Sequence, residues 1–238
     1  ASHWVGLTLP GMIDEPGSFS GRINSPRPAR GPLPASLMLA MVLKPLHEAA
    51  GVRRVVVATY QPASGAGKEG MDELWSQTRG IYVNDNPEAQ YFTKQIAFNV
   101  IPHIDRFMAD GATREEWAMA AEIRKLLDPD IQVSASCVRV PVMLGLGMAL
   151  NIAFDRPISE RDAREVLRKA PGLSLLDRRD DGGYASPAEI VGEDMVYVSR
   201  IRRDATLPQG LSLWAVGDDV RLGAALNAAR LAEAVLKA

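Results

Sequence analysis

The sequence predicts an α+β fold. Strand-length runs of apolar and β-branched residues are interspersed with segments of helical periodicity, but not in the strict alternation of a parallel α/β sheet. The 238 residues, 47% hydrophobic and 24% charged, suffice for a sizeable core. No internal repeat divides the chain into an array.

Residues 1–34 carry Pro10, Pro16, Pro26, Pro28, Pro32 and Pro34 among glycines and serines. Proline fixes φ and removes an N–H donor, so this stretch reads as an extended arm. Trp4, Val5 and Leu7 could anchor it, and a mobile terminus is an equally open reading. Residues 35–50 read as a helix with Leu37, Met38, Met41, Val42 and Leu46 on one side and Gly51 as its stop. Ser36 reads as a cap or a spectator. Residues 53–60 form a strand through the β-branched Val55, Val56 and Val57. Ser64, Gly65 and Gly67 then allow a tight turn whose N–H groups converge, a geometry that suits an anion but that also simply joins a strand to a helix.

A helix follows over residues 68–81, then a loop over 84–97. Residues 113–127 form a helix opened by a Thr113/Glu116 capping box and closed at Asp128-Pro129. Residues 131–142 and 149–155 read as strands, and Ser159 caps a helix to Lys169 before Pro171-Gly172. Residues 173–176, 194–203 and 211–217 are further strands, and 220–237 a long Ala-rich helix.

A net charge of −2 offers nothing to a polyanion, so neither nucleic acid nor an anionic membrane is an expected partner. No apolar run reaches the length of a span; the most apolar stretch, 138–152, is broken by Arg139, Pro141, Gly145 and Gly147. Residues 1–11 lack the basic start of a secretory signal, and a single cysteine fits a reducing compartment, so a cytoplasmic protein is expected. That cysteine, Cys137, sits mid-strand and reads as a buried structural thiol. His3, His47 and His103 have no metal-ligand spacing, and no metal is expected. Asp177 to Asp181 reads as a solvated charge run. Arg200, Arg202 and Arg203 suit either an acidic partner or the protection of a sheet edge.

Four motifs occur in order: TYQ with SGAG (Thr59–Gln61 and Ser64–Gly67), Gln95 to His103, Cys137-Val-Arg-Val-Pro-Val142, and Gly223-Ala-Ala-Leu-Asn227. Together they resemble the aspartate-semialdehyde dehydrogenase family from about Ala35 onward. The resemblance implies a mixed open β-sheet with helices on one face, similar to the dimerisation domain of aspartate-semialdehyde and glyceraldehyde-3-phosphate dehydrogenases. It divides the chain into the arm, 1–34, and that domain, 35–238. It also implies a homodimer or a subunit of a larger assembly. The family's nucleotide site lies in an N-terminal Rossmann domain, and the resemblance here begins near the end of that domain. No cofactor is therefore expected, with NADP reserved for an enzyme reading. Without that domain, the apolar faces of the 35–50 and 220–237 helices need another cover.

The family reaction uses a cysteine thiolate, a histidine base, and groups for carboxylate and phosphate. The Lys44-Pro-Leu-His47 register places the family's cysteine position at Pro34, ten residues earlier. Arg139-Val-Pro-Val142 leads to Leu146 at the histidine position. Ala118 stands where the family has a phosphate-binding lysine, and Asp219 where it has an asparagine near the nicotinamide. Gln61 matches the glutamine that orients the acyl intermediate. Arg139 and Glu115 match the groups that hold the substrate carboxylate and amine, as a vestigial substrate site. Ser64, Gly65 and Gly67 match the turn near the cofactor. Packing alone accounts for the same residues.

The expectation is a catalytically inactive relative serving as a structural, scaffold or accessory subunit. The alternatives are an NADP-dependent aspartate-semialdehyde dehydrogenase of amino-acid biosynthesis that needs a partner chain, or a sensor of aspartate-like metabolites.

Overall fold

The computed structural model describes residues 32–85 and 88–225. The chain opens with helix α1 (Pro34–Ala50), then strand β1 (Val52–Gln61), a 3-10 turn (Ala63–Ala66) and α2 (Gly67–Tyr82). A long loop leads to α3 (Arg114–Leu126), β2 (Gln132–Arg139) and β3 (Leu146–Phe154). Then come α4 (Glu160–Lys169), β4 (Leu173–Leu175), β5 (Val196–Arg203) and β6 (Gly210–Gly217). The strands form one sheet in the order β2-β1-β3-β6-β5-β4. β1 runs parallel to β2 and β4 parallel to β5, while the central pairings are antiparallel, which makes the sheet mixed.

Period two decides which residues face the helices. Val55, Val57, Cys137, Met148, Leu150, Ile152, Leu213 and Ala215 point into one core together with the apolar residues of α1. α1 lies across the middle of the sheet, α3 against β2, and α4 against β4 and β5. Helices therefore cover one face, as the sequence implies. α2 is an exception: it packs on the 3-10 turn and on a second small core of Ala63, Leu74, Ile96, Ala97 and Ile101. On the other face Val56, Ala58, Tyr60, Ser134, Ser136 and Ala149 are half-buried or exposed. Among the described residues, Ala185 and Ile190 cover its β6–β5 end, where they pack on Val216.

Leu39, Leu43 and Leu46 of α1 are fully buried, and α1 contacts the sheet, α3, α4 and residues 221–225 after β6. It begins at Pro34 rather than Ala35, because proline at the first helical position loses no hydrogen bond. Ser36 is no cap. The cap position is Leu33, whose N–H donates at 2.9 Å to the carboxylate of buried Glu122, while Ser36 Oγ is buried without a partner. A carboxylate there also complements the helix dipole.

Other boundaries shift for local reasons. The strand expected over 131–142 ends at Arg139: Val140 N–H turns to the Gln61 carbonyl and Pro141 has no N–H to give. β3 starts earlier than expected, at Leu146, because Gly147 leaves room for the Trp214 ring rather than breaking the strand. β5 starts at Val196 rather than Asp194. Asp177 is not a solvated charge; its carboxylate is buried against Arg164 Nε at 2.7 Å. Beyond β6 the chain enters a π-helical turn, Arg221–Ala225, and the remainder of the helix expected over 220–237 lies outside the described residues, as does the arm up to residue 31. Among the described residues no helix is long and apolar enough to cross a membrane.

Candidate functional site

β1 and β2 end side by side, with Gln61 in register with Arg139. This places at one corner of the sheet two residues separated by most of α2, the long loop and α3. Ile101 brackets Arg139 from the loop, exchanging two main-chain hydrogen bonds with it at 2.9 Å each. Gln61 Nε2 donates to Thr59 Oγ1 at 3.2 Å and to Glu115 Oε1, from the first turn of α3, at 3.3 Å. Arg139, Gln61 and Glu115 thus meet, as the resemblance implies.

Arg139 is directed inward. Its Nη1 donates at 2.6 Å to the Pro62 carbonyl, and only 7% of the residue is exposed. Burial lowers its pKa below the ordinary guanidinium value, opposed by the charges of Glu115 and Asp219. A guanidinium stays protonated under those conditions, so a buried cation is held here by main chain and by carboxylates. Gly65 packs on it: a Cβ there would lie 2.7 Å from Nη1. The turn over Ser64 and Gly65 therefore closes over the arginine.

Asp219 ties the corner together in a way the linear sequence conceals. Its Oδ2 accepts from Ser64 Oγ at 2.8 Å and its Oδ1 from Gly145 N–H at 3.1 Å, across 155 and 74 residues. Burial pushes its carboxyl above the ordinary 3.8, against the pull of those two donors. The folded state therefore binds this proton more tightly than the unfolded chain does. The carboxylate weighs against stability above the folded pKa, and that burden is relieved as pH falls through it. Asp219→Asn keeps an acceptor for Gly145 N–H and offers Ser64 a donor without the charge. It is expected to stabilise the fold by about 1 kcal/mol at neutral pH, with the gain shrinking as pH falls toward the ordinary carboxylate range. Thermal unfolding of both proteins across that range measures this.

In the turn expected near a nicotinamide nucleotide, the Ser64 hydroxyl donates to the buried Asp219 carboxylate and a Cβ on Gly65 would meet Arg139. Gly67, at φ +79, serves to start α2.

Pro34 and Leu146 both lie against the chain around the end of β6. A Cβ on Gly223 would come within 2.3 Å of Pro34 Cγ, so the pyrrolidine ring packs on the turn after β6. Leu146, 2% exposed, opens β3 opposite Gly217, and a Cβ on Gly217 would lie 3.0 Å from the sulfur of Met38, one helical turn beyond Pro34. A ring and an alkyl chain fill this space. Ala118 is buried in α3.

Other candidates take structural roles. Cys137 is buried and its thiol is pushed up to about 12, chiefly by burial. It is expected to resist thiol reagents in the native state and to react only as the protein unfolds; rapid native labelling at neutral pH would contradict its placement. His47 Nδ1 accepts from Val52 N–H at 3.0 Å and its Nε2 lies 3.5 Å from Asp128, so it joins α1 to β1. His103 stacks on Phe107 at 4.3 Å. Among the described residues no group of His, Cys, Asp or Glu is arranged to hold a metal. The residue that sequence reasoning passed over is Glu122. A charged residue beside Met119 and Ile123 on the buried side of α3 was the available signal.

Comparison with known proteins agrees with this fold. The model of the semialdehyde dehydrogenase dimerisation domain matches residues 43–222. Aspartate-semialdehyde dehydrogenase of Rickettsia bellii is 44% identical over 202 residues, covering 85% of this chain and 60% of its own length. The enzyme of the same name from Aquifex aeolicus is 43% identical over 205 residues, again with 85% and 60% coverage. The chain thus spans about three fifths of these relatives. The crystal structure of aspartate semialdehyde dehydrogenase II from Vibrio cholerae, complexed with ASA, superposes with a TM-score of 0.84 at 39% identity, over 87% of this chain and 61% of that one. Sheet order, motif positions and these matches converge: the chain belongs to the semialdehyde dehydrogenase dimerisation-domain family.

Proposed function

We propose that this chain is a non-catalytic member of its family, a sheet domain that pairs two copies and serves as a structural or accessory subunit. The observation that carries the reading is Pro34 at the family's thiol position, packed on Gly223, with Leu146 at the family's base position. A pyrrolidine ring offers no nucleophile and an isobutyl group takes no proton. The retained polar residues favour the same conclusion. Arg139 spends a donor on Pro62, and Gln61 bonds within the protein. Asp219 puts negative charge where the family has a neutral amide.

Pairing is assigned to the open face. Val56, Ala58, Tyr60 and Ala149 form a flat apolar surface there, and the Tyr60 and Trp214 rings meet at 5.6 Å on it. Such a surface gains roughly 25 cal/mol per Å² when covered. Light scattering is expected to give twice the chain mass of 25.8 kDa, and Tyr60→Asp to give the monomer. Calorimetric titration with NADP is expected to show no saturable heat; a saturable isotherm would sink the non-catalytic reading.

The names of the relatives favour a second reading, an aspartate-semialdehyde dehydrogenase whose nucleophile and NADP site come from another chain. Under it, activity appears only on mixing with that chain.

A further inference from the structure

At the other end of the sheet from Gln61 and Arg139, the second half of β5 runs along a basic groove. β4 pairs β5 only through Val196, Tyr197 and Val198. Beyond them, side chains take the place of a neighbouring strand. Asp177 Oδ1 accepts from Ile201 N–H at 3.3 Å, Arg164 Nη2 donates to the Ile201 carbonyl at 2.6 Å, and Glu160 Oε1 accepts from Arg203 N–H at 3.0 Å. An extended peptide therefore finds these ladder groups already taken, and strand addition is blocked.

What remains open is the surface above this edge. A groove of about 560 Å³ lies there, of the size that takes a small organic ligand. Five arginines line it against three aspartates. Arg164 pairs with Asp177 at 2.7 Å, Arg179 with Glu160 at 2.9 Å and Arg178 with Asp180 at 3.7 Å, so the excess charge belongs to Arg200 and Arg202. The last two owe their placement to an irregularity in β5 between Ser199 and Arg202, where Arg200 takes φ +57. A non-glycine residue in that region is strained, and such strain concentrates at functional sites. Here it has a specific result: the Arg200 carbonyl accepts from Arg202 Nη1 at 2.9 Å. That bond steadies one guanidinium while leaving most of its donors unused. Arg179 is steadied likewise by Glu160 at 2.9 Å.

We propose that this groove binds a small polyanion, phosphate- or carboxylate-based, gripped by Arg200 and Arg202 with Arg178 and Arg179 around it. Planar guanidinium forks match either anion in two-pronged fashion. Enclosure on a small-molecule scale and an occupied strand edge argue for such a ligand over an acidic peptide.

The test is calorimetric titration of the full chain with pyrophosphate and, separately, with citrate, at about 50 mM salt where charge pairing is weakly screened. At least one is expected to bind saturably at one site per chain, and the stronger arm assigns the anionic group. The double variant Arg200→Asn, Arg202→Ala is expected to bind at least about tenfold more weakly, the loss of one good two-pronged contact. Asparagine tolerates the positive φ, so this variant should keep the native thermal transition. The variant Lys44→Ala, Lys169→Ala, in a separate groove between α1 and α4, should bind as the native chain does. The proposal is overturned by no saturable binding of either anion, by unchanged affinity in the arginine variant, or by equal loss in the lysine variant. Poly-glutamate binding where both small anions fail would overturn it too. None of these outcomes depends on whether the chain is catalytic.

Discussion

Supplied with aspartate semialdehyde, phosphate and NADP, the purified chain is expected to turn over about 10⁶-fold more slowly than a family member bearing thiol and imidazole. The size follows from how catalytic units behave: removing a nucleophile or its base from a concerted set costs about as much as removing the set. On the proposed register, both positions are altered here. Pro34 is the first residue of α1 and lies against Gly223, and Leu146 is enclosed at the start of β3. Restoring one is not enough. Pro34→Cys is expected to remain at the background rate, because a thiol near an alkyl chain lacks the base that would hold its proton. The substrate carboxylate also meets a guanidinium already donating to Pro62 at 2.6 Å. Measured turnover within about a hundredfold of a competent relative would end the non-catalytic reading, since roughly 5 kcal/mol of barrier lowering would then have an unidentified source.

Leu43→Ala is expected to destabilise the domain by about 3 to 4 kcal/mol, a large part of the stability of a chain this size. Leu43 is fully buried in α1, the helix that the sheet, α3 and α4 all contact. A cavity there cannot be filled by one mobile neighbour, because Met38, Leu39, Val42 and Leu46 are equally enclosed. Denaturant unfolding with an unchanged m-value measures the loss. A cost below about 1 kcal/mol would show that α1 is held loosely and needs another cover after all.

Val55, Val57, Leu150 and Leu213 announce their strands by type and spacing, and Thr113 with Glu116 announces the start of α3 by a capping box that the structure contains. Those signals are local, so a linear reading finds them. Ends of elements were less legible. β2 stops at Arg139 because the Gln61 carbonyl takes the next N–H, and β3 runs through Gly147 because the Trp214 ring occupies the space a side chain would need. Each depends on a partner far along the chain. The same holds for charge: Asp177 belonged to an apparently solvated run yet is buried against Arg164, and Glu122 looked like an ordinary helical carboxylate yet receives the first N–H of α1.

By itself, the order of residues determined the α+β class and the family motifs. Those are statements about identity and spacing, which the chain carries in one dimension. Only the tertiary structure decided that Arg139 turns inward to Pro62, that Asp219 joins Ser64 to Gly145, and that a distortion in β5 gathers arginines over a closed strand edge. Hydrogen bonds and burial act through space, so residues 155 apart can share one hydrogen bond while neighbours in sequence face opposite sides of a sheet.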